Sequence, residues 1–158
     1  MIPSWLWVIF IAALPIIELR GALPAAIFAY GMPWYEAFTL SIIGNLIPVP
    51  FILWLLPVFE KYLRKISLMN RFFNWLFART RRKAENTINA WGLIGLAIFV
   101  AIPLPVTGAW TGSLAAYLFG FKKLPALLSI IAGVLIAGTI VAAICVTGKW
   151  LWLIGMKS

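Results

Sequence analysis

Glu18 and Arg20 stand two residues apart in Ile17-Glu18-Leu19-Arg20-Gly21-Ala22-Leu23-Pro24, between the charge-free runs 1–17 and 21–35. An ionisable pair in apolar surroundings is costly unless a partner or a polar cavity compensates it, which makes this pair the first candidate for chemistry. Arg20 suits a phosphate or a carboxylate, because its planar fork forms paired hydrogen bonds and keeps its charge. Glu18 is the candidate for taking up a proton. The competing reading is an ion pair that locks the local chain and binds nothing. Side chains two apart do not face each other on a regular helix, so such a pair would itself need broken geometry.

A second polar island lies far along the chain, in Ile102-Pro103-Leu104-Pro105-Val106-Thr107-Gly108-Ala109-Trp110-Thr111-Gly112. Pro103 and Pro105 interrupt a helix. Gly108 and Gly112 let backbone approach closely, Thr107 and Thr111 bring hydroxyls, and Trp110 completes the set. A third candidate is Asn45, four residues after Ser41 and so on the same helical face. Pro48 and Pro50 follow it and free carbonyls upstream, which could coordinate a cation or a substrate hydroxyl. Ser41 and Gly44 read instead as helix-packing positions.

The chemistry that is missing is as informative. The chain has no His and no Asp, which removes imidazole proton shuttling, catalytic triads and most metal-ligand clusters. The single Cys145 lies in an apolar run and has no partner for a disulfide or a thiol pair. One embedded Glu is a poor acid–base set, so neither an enzyme nor a bound metal or cofactor is expected.

The elements that must carry these residues are apolar. Hydrophobic residues make up 64% of the 158 residues and charged ones 11%, far from the roughly 45–50% apolar content of an ordinary soluble domain. A single membrane domain is expected over 1–158. The runs 1–17, 21–35, 37–59, 86–121 and 124–148 carry no charge. Of these, 37–59 and 124–148 have the length of a simple span, about 20 residues. The run 86–121 is too long for one span, short for two, and broken at Pro103 and Pro105; a re-entrant hairpin accommodates it. Block 1–35 has the same form, with its break at Pro15 and its tip at Glu18, Arg20 and Gly21. The start lacks the basic n-region and cleavage site of a secretory signal, so the N-terminal block is expected to be retained.

The halves resemble each other. Ala13-Leu14-Pro15 and Ala101-Ile102-Pro103 lie 88 positions apart, as do Ser41-Ile42-Ile43 and Ser129-Ile130-Ile131, and a one-residue shift aligns Ala26 with Ala115 and Gly31 with Gly120. The expected fold is all-α and membrane-integral: two inverted repeats (1–57 and 91–155), each a re-entrant hairpin plus a spanning helix, with a basic amphipathic linker over 58–90. Facing tips would enclose a site, and free N–H groups at the start of each outgoing arm would favour an anion.

The net charge of +9 is concentrated in residues 60–85, where eight basic residues meet two acidic ones. That segment is expected on the cytoplasmic side, and hairpins return Lys122 and Lys123 to the same side. Leu63, Ile66, Met69, Phe73, Leu76 and Phe77 recur at helical spacing within it, as in an interfacial helix lying on anionic lipid. Membrane lipids are therefore expected partners and nucleic acid is not. The cell membrane of a prokaryote is the expected location, and a short chain with few full spans suits a homodimer.

The segments 18–24 and 103–112 resemble the two signature segments of the small multidrug export protein family, which is similar to the DedA/VTT (SNARE-associated) superfamily of membrane proteins. The resemblance covers nearly the whole chain and implies two opposed re-entrant hairpins, each packed with a spanning helix. For relatives in the superfamily it implies proton-dependent transport, or movement of lipids and polyprenyl-phosphate carriers. This chain departs from the DedA pattern in having one acidic residue in its first hairpin and no Arg in its second. The expected function is a small-molecule exporter; a scramblase or flippase and a non-transporting scaffold are the alternatives. The expected binding residues are Glu18, Arg20, Gly21, Pro24, Asn45, Pro103, Pro105, Thr107, Gly108, Trp110, Thr111 and Gly112.

Overall fold

The computed structural model describes residues 3–102 and 107–155, the last seven as backbone only. The expectations for Pro103 and Pro105 fall outside these residues. The described residues form helices and no strand: α1 (Ser4–Ala13), α2 (Glu18–Phe28), α3 (Trp34–Leu46), α4 (Pro48–Leu63), α5 (Ser67–Ala101), α6 (Ala109–Leu118) and α7 (Lys123–Gly155).

Among the described residues, three helical stretches are long and apolar enough, by length and composition, to cross a membrane: Trp34–Leu63, Ser67–Ala101 and Lys123–Gly148, with mean hydropathies of 2.1, 1.2 and 2.6. The first and last contain the expected spans and overrun them at both or one end. The first is divided at Ile47, which keeps helical φ −52° and ψ −48°: Pro48 has no N–H to continue the ladder, and α4 resumes at once. The second is not a continuous rod. Gly92 takes φ 54° and ψ −124°, a conformation open to glycine, and splits α5 into 67–91 and 93–101. The later segment then packs back on the earlier one, and a β-carbon at Gly95 would fall 3.1 Å from the Ile88 Cα.

This break creates the second of two short helical pairs. In the first, α1 packs on α2 across residues 14–17; in the second, 93–101 packs on α6. The ingoing arms end alike: Leu14 and Ile102 both turn extended, with ψ 140° and 117°, and each precedes a proline, which disfavours the helical conformation before it. The outgoing arms end alike too, at Gly31 (φ 64°) and Gly120 (φ 70°), each a left-handed stop.

Packing repeats in the same register. Gly44 of α3 lies against Ile9 and Ala12 of α1, and Gly133 of α7 lies against Ala97 and Val100 of the second ingoing arm. Ile9 and Ala97, like Ala12 and Val100, are 88 positions apart. In both halves a glycine brings a long helix onto a short one at backbone distance. Val8, Ala12, Leu19, Leu23, Leu96, Val100, Ile130 and Val134 fill the core that these contacts close, all but fully buried.

The basic segment departs from expectation. Phe73 and Phe77, assigned to a lipid-facing surface, are buried against Leu114 of α6, with Leu56, Leu63, Met69, Leu76, Tyr117 and Leu118 around them. Helical spacing is the same whether an apolar stripe meets lipid or protein, so the pattern alone pointed to the wrong partner. Polar contacts hold this packing. The Tyr117 hydroxyl donates to Glu60 Oε2, Arg64 pairs with Glu60 Oε1 and donates to Asn70 Oδ1 (3.0 Å) and Asn74 Oδ1 (2.8 Å), and its guanidinium lies 5.4 Å from the Phe77 ring centroid. The end of α4, the start of α5 and the end of α6 thus form one cluster.

Candidate functional site

The site begins with a backbone irregularity. Leu14 leaves α1 extended, residues 14–17 turn, and Glu18 opens α2 at φ 51°, the one non-glycine residue with positive φ among those described. Such a conformation costs on the order of 1–3 kcal/mol and persists where surrounding contacts enforce it. Those contacts come from the second hairpin. The Glu18 side chain is buried, and its Oε1 accepts the Trp110 backbone N–H at 3.3 Å. Trp110 lies in the first turn of α6, whose leading N–H groups have no intrahelical acceptor and carry the positive end of the helix dipole.

Arg20 does the converse. Its Nη2 donates to the Ile102 carbonyl (3.2 Å), at the end of α5, and to Thr107 Oγ1 (3.1 Å). The Thr107 hydroxyl itself donates to the Ile102 carbonyl at 2.8 Å. The guanidinium therefore sits where the last carbonyls of a helix leave a negative end, and the carboxylate sits where the next helix begins. The Trp110 indole Nε1–H adds a third tie, donating to the Ala13 carbonyl at 3.0 Å.

Glycine makes room for this arrangement. A β-carbon on Gly108 would overlap the Glu18 carboxylate, falling 2.6 Å from its carboxyl carbon. Gly112 packs on Val100 of the ingoing arm, where a β-carbon would also collide. Thr111 Oγ1 donates to the Gly108 carbonyl at 3.4 Å, within its own turn.

The structure brings Glu18, Arg20, Thr107, Gly108 and Trp110 together. Arg20, Gly21 and Pro24 belong to α2 and not to the turn, which lies earlier, at 14–17. Gly21 lies over Ile17, and Pro24 sits inside α2, where it brings no N–H to the helical ladder. Of the N–H groups expected at the start of α6 to attract an anion, that of Trp110 already meets one, the Glu18 carboxylate. Asn45 lies apart in α3, almost fully buried with Ser41; the Asn45 Oδ1 and Ser41 Oγ have no hydrogen-bond partner among the described residues.

Two contributors were not singled out from the sequence: the carbonyls of Ala13 and Ile102. A signal for both existed, since each ends an ingoing helix ahead of a proline and helix ends leave carbonyls unpaired. The Glu60–Arg64–Tyr117 cluster was missed as well. Glu60 and Arg64 stand at the i,i+4 spacing of a helical ion pair, but Tyr117 is 57 residues from Glu60 and no spacing rule joins it to them.

Helices throughout the described residues, stretches among them long and apolar enough to cross a bilayer, and a charged pair held between two short helical pairs define a membrane protein. Residues 18–140 match the family model described as "Putative small multi-drug export protein", and the chain belongs to that family. Neither the curated proteins nor the solved structures give a match.

Proposed function

We propose that the protein is a membrane transporter that exports small anionic or amphiphilic solutes, with its site at the junction of two re-entrant hairpins. The observation that carries this reading is the reciprocal engagement of Glu18 and Arg20 with opposite helix ends of the second hairpin. Charges in an apolar chain mark pathways or relays, and irregular backbone at membrane depth is tolerated where protein buries it or a wet cavity adjoins it. In this reading an anionic solute competes with the Ile102 carbonyl and Thr107 for Arg20, and the hairpin contacts part as it enters. Protonation of Glu18 removes the charge that faces the start of α6, which gives ion coupling a route to the same junction.

The recurring contacts at 88 to 89 residues support a duplicated hairpin-plus-helix unit. Because each unit crosses once, the copies are opposed across the bilayer, in the manner of inverted-repeat transporters and of the DedA/VTT superfamily. The basic segment faces the cytoplasm of a prokaryotic cell, and no catalytic step is involved.

A second reading, lipid scrambling, draws on a groove of about 440 Å³ between α3 and α7, lined by Trp34, Phe38, Thr139, Ala142, Ala143 and Val146. It is apolar and of a size to accept part of an acyl chain.

Flux into proteoliposomes separates these readings. A transporter moves a soluble organic anion or amphiphile with dependence on a proton or ion gradient, and Arg20→Ala abolishes it. A scramblase equilibrates labelled phospholipid or polyprenyl phosphate without a gradient. Neither flux from the purified, folded protein would leave a scaffold, and full solute flux by folded Arg20→Ala would remove Arg20 from the site.

A further inference from the structure

Among the described residues, the basic helical segment 67–91 carries a second apolar stripe that is left uncovered. In residues 67–91 the buried positions are Phe73, Phe77, Thr80, Ala84 and Ile88, which form the face packed on the protein. On the opposite face, Leu68, Phe72 and Trp75 are exposed at 69%, 49% and 56%, and the same line continues into Arg79, Arg82 and Lys83 at spacings of three and four residues. A solvated helix face has no need of three large apolar side chains in a row, whereas a helix at a bilayer surface uses them to enter the acyl boundary.

The cations that end the stripe form a site. Trp75, Ala78, Arg79, Arg82 and Lys83 line a groove of about 360 Å³, and the Arg79 guanidinium lies 5.3 Å from the Trp75 ring centroid. The single acidic residue of the helix is Glu85, and the nearby Glu60 is buried with Arg64 and Tyr117. Two guanidiniums and an ammonium around one groove suit a phosphodiester, which guanidinium recognises through paired hydrogen bonds. Tryptophan beside them has the interfacial preference of an indole at headgroup level.

We infer that this face binds an anionic phospholipid, its phosphate held by Arg79, Arg82 and Lys83 and its acyl chains along Trp75, Phe72 and Leu68. The inference does not depend on what the hairpin junction transports. Because Phe73 and Phe77 on the reverse of the same helix pack on Leu114 and Tyr117 of α6, an occupied site steadies the outgoing arm of the second hairpin.

Native mass spectrometry of the full-length protein in detergent, titrated with phosphatidylglycerol or phosphatidylcholine of identical acyl chains, tests this. The protein retains phosphatidylglycerol preferentially. The triple variant Arg79→Gln, Arg82→Gln, Lys83→Gln weakens that binding at least about tenfold, as expected for three cations near a headgroup. A charge-matched control, Lys61→Gln, Lys122→Gln, Lys123→Gln, changes it less than about twofold. Equal loss in both triples would reduce the effect to overall charge, and absence of a phosphatidylglycerol preference would overturn the site. Tighter binding of a short single-stranded RNA, lost in the first triple alone, would assign the face to nucleic acid and overturn the lipid.

Discussion

The Glu18 carboxylate occupies the volume that a side chain on Gly108 would need, 90 residues further along the chain. The same carboxylate accepts the Trp110 N–H, so Gly108 and Glu18 work as one contact between the two hairpins. Glycine at the start of α6 is therefore a requirement of the first hairpin as much as of the second.

Gly108→Ala follows directly from this relationship. The variant lowers thermal stability in detergent by roughly 1–3 kcal/mol, the range for overpacking a filled site. Combined with Glu18→Ala, the loss is less than the sum of the single losses by about 0.5–3 kcal/mol, as for residues in contact. Additive losses in this double-mutant cycle would show that the two positions do not communicate.

Arg20→Ala removes a charged donor from the Ile102 carbonyl and from Thr107, and costs roughly 1.5–3 kcal/mol. Arg20→Lys keeps the charge and loses the planar fork. Thermal unfolding of the pair, read beside substrate flux, separates the two roles: stability recovers partly with Lys, while flux stays low if paired recognition of an anion is needed. Recovery of both would mean that charge alone suffices.

Gly92→Ala forces a β-carbon into a left-handed conformation at the point where α5 folds back. Nothing lies within 4 Å of that β-carbon, so the cost is conformational, on the order of 1–3 kcal/mol for a sparsely populated backbone region. The expected outcome is a lower melting temperature with faster hydrogen exchange in residues 93–101, which lose their anchor on the preceding segment. Unchanged exchange there would argue that another contact holds the reversal.

Tyr117→Phe deletes the hydroxyl that donates to Glu60 and leaves Arg64 as its partner. A hydrogen bond to a charged group contributes about 1.5–3 kcal/mol, and the loss should appear as faster exchange in α6 and in the first turns of α5. Glu60→Gln should loosen the same region and, in addition, release Arg64. Protection unchanged in both variants would reduce the cluster to surface decoration.

Much of the architecture was legible because apolar length and helix punctuation are local properties. The charge-free runs 37–59 and 124–148 gave two of the long helical stretches, and Pro15 and Pro103 marked where the ingoing arms break, since proline acts within a residue or two. The positions 88 to 89 apart suggested a duplication, and Gly44 and Gly133 meet equivalent residues in the two halves. Glu18, Arg20, Thr107, Gly108 and Trp110 were candidates on residue type alone.

What the linear chain left open was the identity of each partner. Glu18 and Arg20 read as ligands or as a mutual pair; folding directs them to opposite helix ends of a hairpin some 90 residues away, because unpaired N–H and carbonyl groups there need charges of those signs. Likewise Phe73 and Phe77 declare an apolar face without saying whether lipid or α6 covers it. Burial and hydrogen bonding are satisfied between segments, and only the tertiary arrangement brings those segments within range.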